Sequence, residues 1–349
     1  MKKSIIAIVL CLALLALPFC ALAEDVKTVY ILTPTEDHGW TGSVATFAKM
    51  SAEEINKAGE YKAEVVTAGD PAEQITQIED IVANEAANVA GVVILPQDNT
   101  LEFAIRQLVD AKIPYVAFDR IIDEVKDDAV ANVSGDNTGV GVAVAAYFVE
   151  QGMKPGDEVV VFEGDTSSVT TNRDDGFKSY LLGEAEYKGE KIADDLKWTE
   201  DDLAKLTFSG AMNWSRSAAK EYFENLMSDS KNASIKWFYS QDDEFALGIM
   251  EALEGSAIDD ETKKAILDNK IVISAAGGSE ALYSVIRGED KAELAANFGG
   301  LAVATYSPAM IQDAVKLMSD YLAGNEVAQD YVVPVEIVTA ENVKDYIGF

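Results

Sequence analysis

IPYVAFDR, residues 113–120, is the stretch whose reading decides the fold. Residues 113–118 are apolar without alternation, the pattern of a strand buried on both faces in a parallel sheet. The run ends abruptly in an acid and a base, Asp119 and Arg120. In an open α/β sheet, ligands sit beyond the carboxyl ends of the strands. A carboxylate and a guanidinium at that edge supply acceptors and a rigid fork of donors. That pairing suits a polyhydroxylated ligand, whose hydroxyls both donate and accept. The same two residues would also serve as a surface ion pair capping the strand, and this stretch alone does not choose.

On both sides of it the pattern alternates between strand and helix. Strands are predicted over 26–32, 62–67, 91–95, 158–162, 235–239, 271–275 and 331–338. Helices are predicted over 42–58, from Asp70-Pro71 onward, around Leu101, Ile105 and Leu108, and over 138–151, 173–182, 215–227, 243–253 and 308–322. Asp70-Pro71 is a helix start, an N-cap followed by a first-turn proline, and Ile75, Ile78 and Val82 keep helical spacing behind it. Residues 184–213 are polar and read as irregular. Alternation of this kind means parallel sheets with helices on both faces, an α/β chain. There is also an internal echo. GVVILPQDNTLEFAI (91–105) resembles IKWFYSQDDEFALGI (235–249), and VDAKIPYVAFDR (109–120) resembles LDNKIVISAAGG (267–278). A strand edge repeated in each half suggests two similar lobes with facing edges, although βα turns favour short polar residues in any case.

The N-terminus reads as a secretory signal over residues 1–23. Lys2 and Lys3 are its positive region, residues 5–17 its apolar region, and Ala21-Leu22-Ala23 a small-x-small cleavage site before Glu24. No later stretch is long and apolar enough to span a bilayer. The mature chain is therefore expected to begin near Glu24, periplasmic or extracellular. Both cysteines, Cys11 and Cys20, lie in the signal, which leaves the mature chain no thiol for disulfides, catalysis or metal ligation. A lipid anchor on Cys20 is disfavoured by bulky Phe19. Removing Lys2 and Lys3 takes the formal charge from −32 to −34, a repulsive field for nucleic acid and anionic membranes. The expected partner is a neutral solute. About 325 residues remain, enough for two ordinary domains.

The four motifs together resemble a known family. IPYVAFDR is similar to the Ile-Pro-Val-x-x-x-Asp-Arg strand of the periplasmic sugar-binding proteins of bacterial ABC importers, the ribose- and galactose-binding type. SGDNTGVGVAVAAYFV (134–149) resembles the Ser-Asp-Asn segment that enters their second lobe. NRDDGF (172–177) resembles Arg-x-x-Gly-Phe, and SQDDEFALGI (240–249) resembles Asn/Asp-Asp-x-x-Ala-Leu-Gly. The order matches over essentially the whole mature chain. The resemblance implies two Rossmann-like lobes with parallel sheets and a multi-strand hinge, the type I periplasmic-binding fold. The lobes would comprise 24–134 with 306–333, and 135–305 with 334–349. Strands would cross between them near Ser134-Gly135, from Ala304 to Tyr306 and at Pro334. It implies ligand contacts from Asp119 and Arg120 in one lobe and from Arg173 and Asp242 in the other. Trp40 falls where the family stacks an aromatic on the sugar, and Trp214 near a second such position. His38 and Tyr306 complete the expected site. One departure matters: Ala275-Ala276-Gly277 stands where the family often has Phe-Asp-Gly. Ribose, which that acid grips, is therefore disfavoured.

Each residue also has a plainer reading. Trp40 would stack on a sugar and donate from its ring nitrogen, or pack on the lobe surface. His38, the only histidine, cannot build a zinc site alone and would cap a turn as readily as donate to a ligand. Arg173 opens the predicted helix, where the dipole gives a cation no reason to sit, and is expected at an exposed edge. Asp242 would serve equally as an N-cap, and Trp214 as core. GDNTGVGVA lacks the full dinucleotide pattern and the lysine of a triphosphate loop. Enzyme readings reduce to Ser–His38 pairs with no nucleophile elbow. The expectation is a non-enzymatic, cofactor-free, metal-free monomeric receptor that delivers a sugar or polyol to an ABC permease. The alternatives are a sensor for a chemoreceptor or histidine kinase and, behind it, a secreted enzyme.

Overall fold

The computed structural model describes residues 26–35 and 39–349. The expected signal, with Cys11 and Cys20, and His38 lie outside the described residues. Two six-stranded sheets organise the rest. The first contains β1 (Thr28–Pro34), β2 (Lys62–Ala68), β3 (Val89–Ile94), β4 (Tyr115–Phe118), β5 (Ala131–Gly135) and, returning late, β11 (Asp330–Val333). Its order is β11-β5-β4-β3-β1-β2, parallel throughout. The second contains β6 (Val159–Glu163), β7 (Leu206–Ala211), β8 (Trp237–Ser240), β9 (Val272–Gly277), β10 (Gly300–Thr305) and β12 (Ile337–Val338), in the order β12-β10-β9-β8-β6-β7. Only the β10–β12 pair is antiparallel. This is the two-lobe fold the motifs imply. Every residue of β3, β4, β8 and β9 is buried, which is why each reads as an unbroken apolar or small run.

The helices are α1 (Gly39–Ala58), α2 (Pro71–Asp80), α3 (Glu102–Asp110), α4 (Asn137–Glu150), α5 (Ser168–Leu181), α6 (Arg216–Met227), α7 (Asp243–Glu254), α8 (Asp260–Asp268), α9 (Glu280–Ile286) and α10 (Met310–Leu322), besides shorter turns. Asp70 caps α2 by accepting from the Glu73 amide at 2.8 Å, as its sequence predicts. The chain leaves the first sheet after β5, returns after β10, and crosses again between β11 and β12.

Three readings are corrected. Residues 331–338 are not one strand. β11 pairs in the first sheet and β12 in the second, with Pro334 between them lacking an amide to donate. Residues 184–213 hold the edge strand β7, whose mostly exposed side chains carry no apolar signature. Helix α5 begins at Ser168, capped by Ser167, so Arg173 lies inside it rather than at its start. Within GDNTGVGVA, Gly141 serves helix packing. A Cβ on Gly141 would stand 2.0 Å from the Arg173 carbonyl oxygen, and one on Gly176 2.0 Å from that of Thr138. So α4 and α5 meet backbone to backbone.

Candidate functional site

Residues beyond the carboxyl ends of both sheets line a single cavity of about 440 Å³. Asp119 follows β4 and Asp165 follows β6; Asp242 follows β8, and Ala276 and Gly277 end β9. Of the expected site residues, Trp40, Asp119, Arg120, Arg173, Trp214, Asp242 and Tyr306 all line it.

Asp119 takes a left-handed backbone conformation, with φ of 64°. Aspartate tolerates this region better than most residues. The turn keeps its amide bonded to the Val133 carbonyl at 2.8 Å while its side chain leaves the sheet. The carboxylate accepts from the Tyr306 hydroxyl at 2.5 Å. Burial pushes the Asp119 carboxyl up, against the pull of Arg120, the Tyr306 hydrogen bond and Arg173. Tyr306 is itself buried, and its hydroxyl accepts from Asn137 Nδ2 at 3.2 Å. It fits because Gly135 has no side chain: a Cβ there would lie 2.1 Å from its ring.

Arg173 is 3% exposed, which overturns its expected place at an exposed edge. Its Nε donates to Asn137 Oδ1 at 3.0 Å and its Nη1 to the Gln241 carbonyl. The guanidinium lies 4.7 Å from the Tyr306 ring centre and 5.6 Å from that of Trp214. Asp119, Tyr306, Asn137 and Arg173 thus form one chain of hydrogen bonds from the first sheet's edge to the second lobe's helices.

The two tryptophans offer faces, not donors. Trp40 spends its ring N–H on the Tyr306 carbonyl at 2.9 Å, so donation from that nitrogen to a ligand, expected from sequence, is corrected. Trp214 donates to Asp165 Oδ2 at 3.1 Å, and its ring stacks on Phe245 at 6.2 Å, tilted by 3°. Its left-handed backbone, with φ of 58°, turns the ring over Gly164, where a Cβ would lie 1.9 Å from it.

Asp242 does both jobs weighed for it. Its carboxylate caps α7 by accepting from the Glu244 amide at 2.8 Å, and it lines the cavity. Burial first, then the neighbouring Asp243 charge, pushes it up to about 8. The cap bond and Arg173 oppose this without prevailing. Asp165 moves the other way. Burial would raise it, but hydrogen bonds from Ser167 and Trp214, with the Arg120 charge, hold it below the usual carboxylate range.

The sequence reading missed Asp165, Asn137, Arg216 and Glu244. Asp165 carried the signal used for Asp119, an acid just past a strand, yet its run was shorter and its neighbour was not basic. Arg216 and Glu244 sit on helices far apart in sequence and meet at 2.6 Å, a pairing no local pattern announces. A smaller cavity of about 290 Å³ adjoins the first at Gly39, Trp40, Asp242, Glu244 and Ala276. Among the described residues, no group of three or more His, Cys, Asp or Glu is arranged to hold a metal ion. No described helix is long and apolar enough to cross a membrane.

The family model of the periplasmic binding protein domain matches residues 29–326. The fructose import binding protein FruE of Bifidobacterium longum (strain NCC 2705) is 24% identical over 254 residues. That match takes in 71% of this chain and 66% of the relative's length. A periplasmic solute-binding protein of Actinobacillus succinogenes 130z with bound D-allose superposes with a TM-score of 0.69. It is 18% identical, over 92% of this chain and all of the other. A solute-binding protein of Bacillus halodurans C-125 with bound myo-inositol gives 0.67 at 19% identity, covering 93% and 98%. At such identities the superpositions establish the fold.

Proposed function

The chain belongs to the periplasmic binding protein family, and on that premise we propose that it is an exported receptor that captures a neutral sugar or polyol between its lobes and delivers it to an ABC importer. The observation that carries this reading is the mixed lining of the cavity. The carboxyls of Asp119, Asp165, Asp242 and Glu244 line it together with the guanidiniums of Arg120, Arg173 and Arg216. Acids and bases interleaved in this way suit a neutral, polyhydroxylated solute better than a simple anion or cation. The site offers hydroxyls fixed acceptors and donors between two indole faces, as recognition of a sugar requires.

The energetics are adequate. Micromolar binding corresponds to about −8 kcal/mol. A few hydrogen bonds to charged groups, each worth roughly 1.5–3 kcal/mol, with one aromatic stack, reach that after ordering costs. No bond in the solute need break, so the chain acts as a receptor and not as an enzyme. In this reading the lobes are 24–134 with 306–333 and 135–305 with 334–349, the mature protein starts near Glu24, and it works as a monomer against a membrane permease. Ala276, in place of a carboxylate, removes one grip from the second lobe, which disfavours ribose.

A thermal-shift screen of pentoses, hexoses, polyols and disaccharides tests the proposal. The right solute at 100 times its dissociation constant adds about 2.7 kcal/mol of stability. Solute released by denaturation is recovered chemically intact. A conversion product in its place would mark an enzyme, and a panel without any stabilising solute would defeat the sugar reading.

A further inference from the structure

The echo between residues 91–105 and 235–249 has a counterpart inside the cleft. Gln97 and Gln241 occupy matching places, just past β3 and β8. Each gives its main-chain carbonyl to the Nη1 of one cleft arginine, Gln97 to Arg120 and Gln241 to Arg173. The two arginines do not occupy matching places, since Arg120 follows a strand and Arg173 lies within α5. What the lobes share is the acceptor.

Both glutamines are tied down by amides. The Gln97 side chain donates to the Ala68 carbonyl at 2.9 Å, and its main-chain N–H donates to Gln74 Oε1 at 3.0 Å. Gln74 is fully buried and donates in turn to the Leu95 carbonyl at 2.9 Å. Gln241, also fully buried, donates through Nε2 to Asp174 Oδ1 at 2.8 Å and accepts through Oε1 from the Gly164 amide at 3.1 Å. A primary amide suits these places because it can donate and accept at once. Arg120 Nε, by contrast, is buried with no hydrogen-bond partner among the described residues. That guanidinium is held at one corner and left unsatisfied at another.

We infer that Gln97 and Gln241 are positioning residues, each fixing one lobe's guanidinium in its binding orientation before solute arrives. The inference rests on the reading of Arg120 and Arg173 as solute-gripping groups. A free arginine side chain loses about 2 kcal/mol of rotamer entropy when it is ordered. Holding the guanidinium in the empty protein takes that cost out of the binding step. Removing a glutamine side chain would leave the carbonyl in place chemically but release the loop that aims it.

Two measurements test this, one of them without solute. With 15N-labelled arginine, the empty protein shows resolved, slowly rotating Nη resonances for Arg120 and Arg173. Gln241→Ala broadens those of Arg173 alone, and Gln97→Ala those of Arg120 alone. Unchanged spectra, or loss of both sets together, overturn the inference whatever the solute proves to be. The second measurement is calorimetric, with the sugar found by thermal shift. Gln241→Ala weakens binding about tenfold in the wild-type and Arg120→Ala backgrounds, but less than about twofold in Arg173→Ala. An equal loss in all three backgrounds marks general damage and overturns it. Where an alanine variant does not fold, Gln97→Asn and Gln241→Asn, one methylene shorter, are read in the same way. If no sugar binds the wild type, the receptor reading fails while the resonances still decide the positioning.

Discussion

Arg173 shows how a single side chain can carry both folding and recognition. It is buried, holds Asn137 and the Gln241 carbonyl, and lies against the rings of Tyr306 and Trp214. Arg173→Ala therefore costs about 2–5 kcal/mol of solute binding. It also costs about 1–3 kcal/mol of stability, because Asn137 Oδ1 and a buried carbonyl lose their donor. Calorimetry and chemical denaturation measure the two separately. Full binding by the variant would misplace the second-lobe site, and unchanged stability would contradict the burial. Tyr306→Phe is the finer probe, since it deletes only the hydroxyl shared by Asp119 and Asn137. Its expected cost is about 1–2 kcal/mol of stability, with folding retained.

At the scale of the element, the start of α7 sets a pH dependence. Asp242 caps the helix from a half-buried position beside Asp243 and Glu244, with Arg173 as the opposing cation. Its pKa is raised from 3.8 in an unfolded chain to about 8 in the fold, so the fold holds this proton more tightly. The resulting stability is fully present below about pH 3.8 and is lost as pH rises through about 8. Asp242→Asn keeps a capping oxygen and removes the titration. The variant gains stability relative to wild type as pH climbs from about 5 to about 9, as thermal melts at each pH would record. A difference that stays flat over that range would mean that Asp242 is already ionised. The Asp119–Arg120 motif, the α2 cap and the strands β3 and β4 were legible in sequence because each rests on neighbours in the chain. Strands β5 and β10 were not legible from pattern, and only the family resemblance put crossing strands near their ends. Their small residues, ANVSG and GLAVAT, become strand only through partners supplied by distant segments.

For the whole molecule, two sheets joined by three chain passages provide a hinge, and closure around solute is the motion expected of it. Small-angle scattering should record a smaller radius of gyration when the right sugar is added. An unchanged radius with a sugar that demonstrably binds would rule out closure. The same geometry explains the limits of reading the chain alone. By itself the sequence determined the α/β class, the strand end at Asp119 and the helix cap at Asp242, because periodicity, strand ends and helix caps are local properties of consecutive residues; the cleft-facing places of both acids were expected from the family resemblance. Only the tertiary structure decided that Arg173 is buried, that Trp40 and Trp214 spend their ring N–H groups within the protein, and that Tyr306 joins the two lobes by hydrogen bonds. Those outcomes depend on burial and on contacts between residues such as Trp40 and Tyr306, 266 positions apart, and no window of consecutive residues contains both partners.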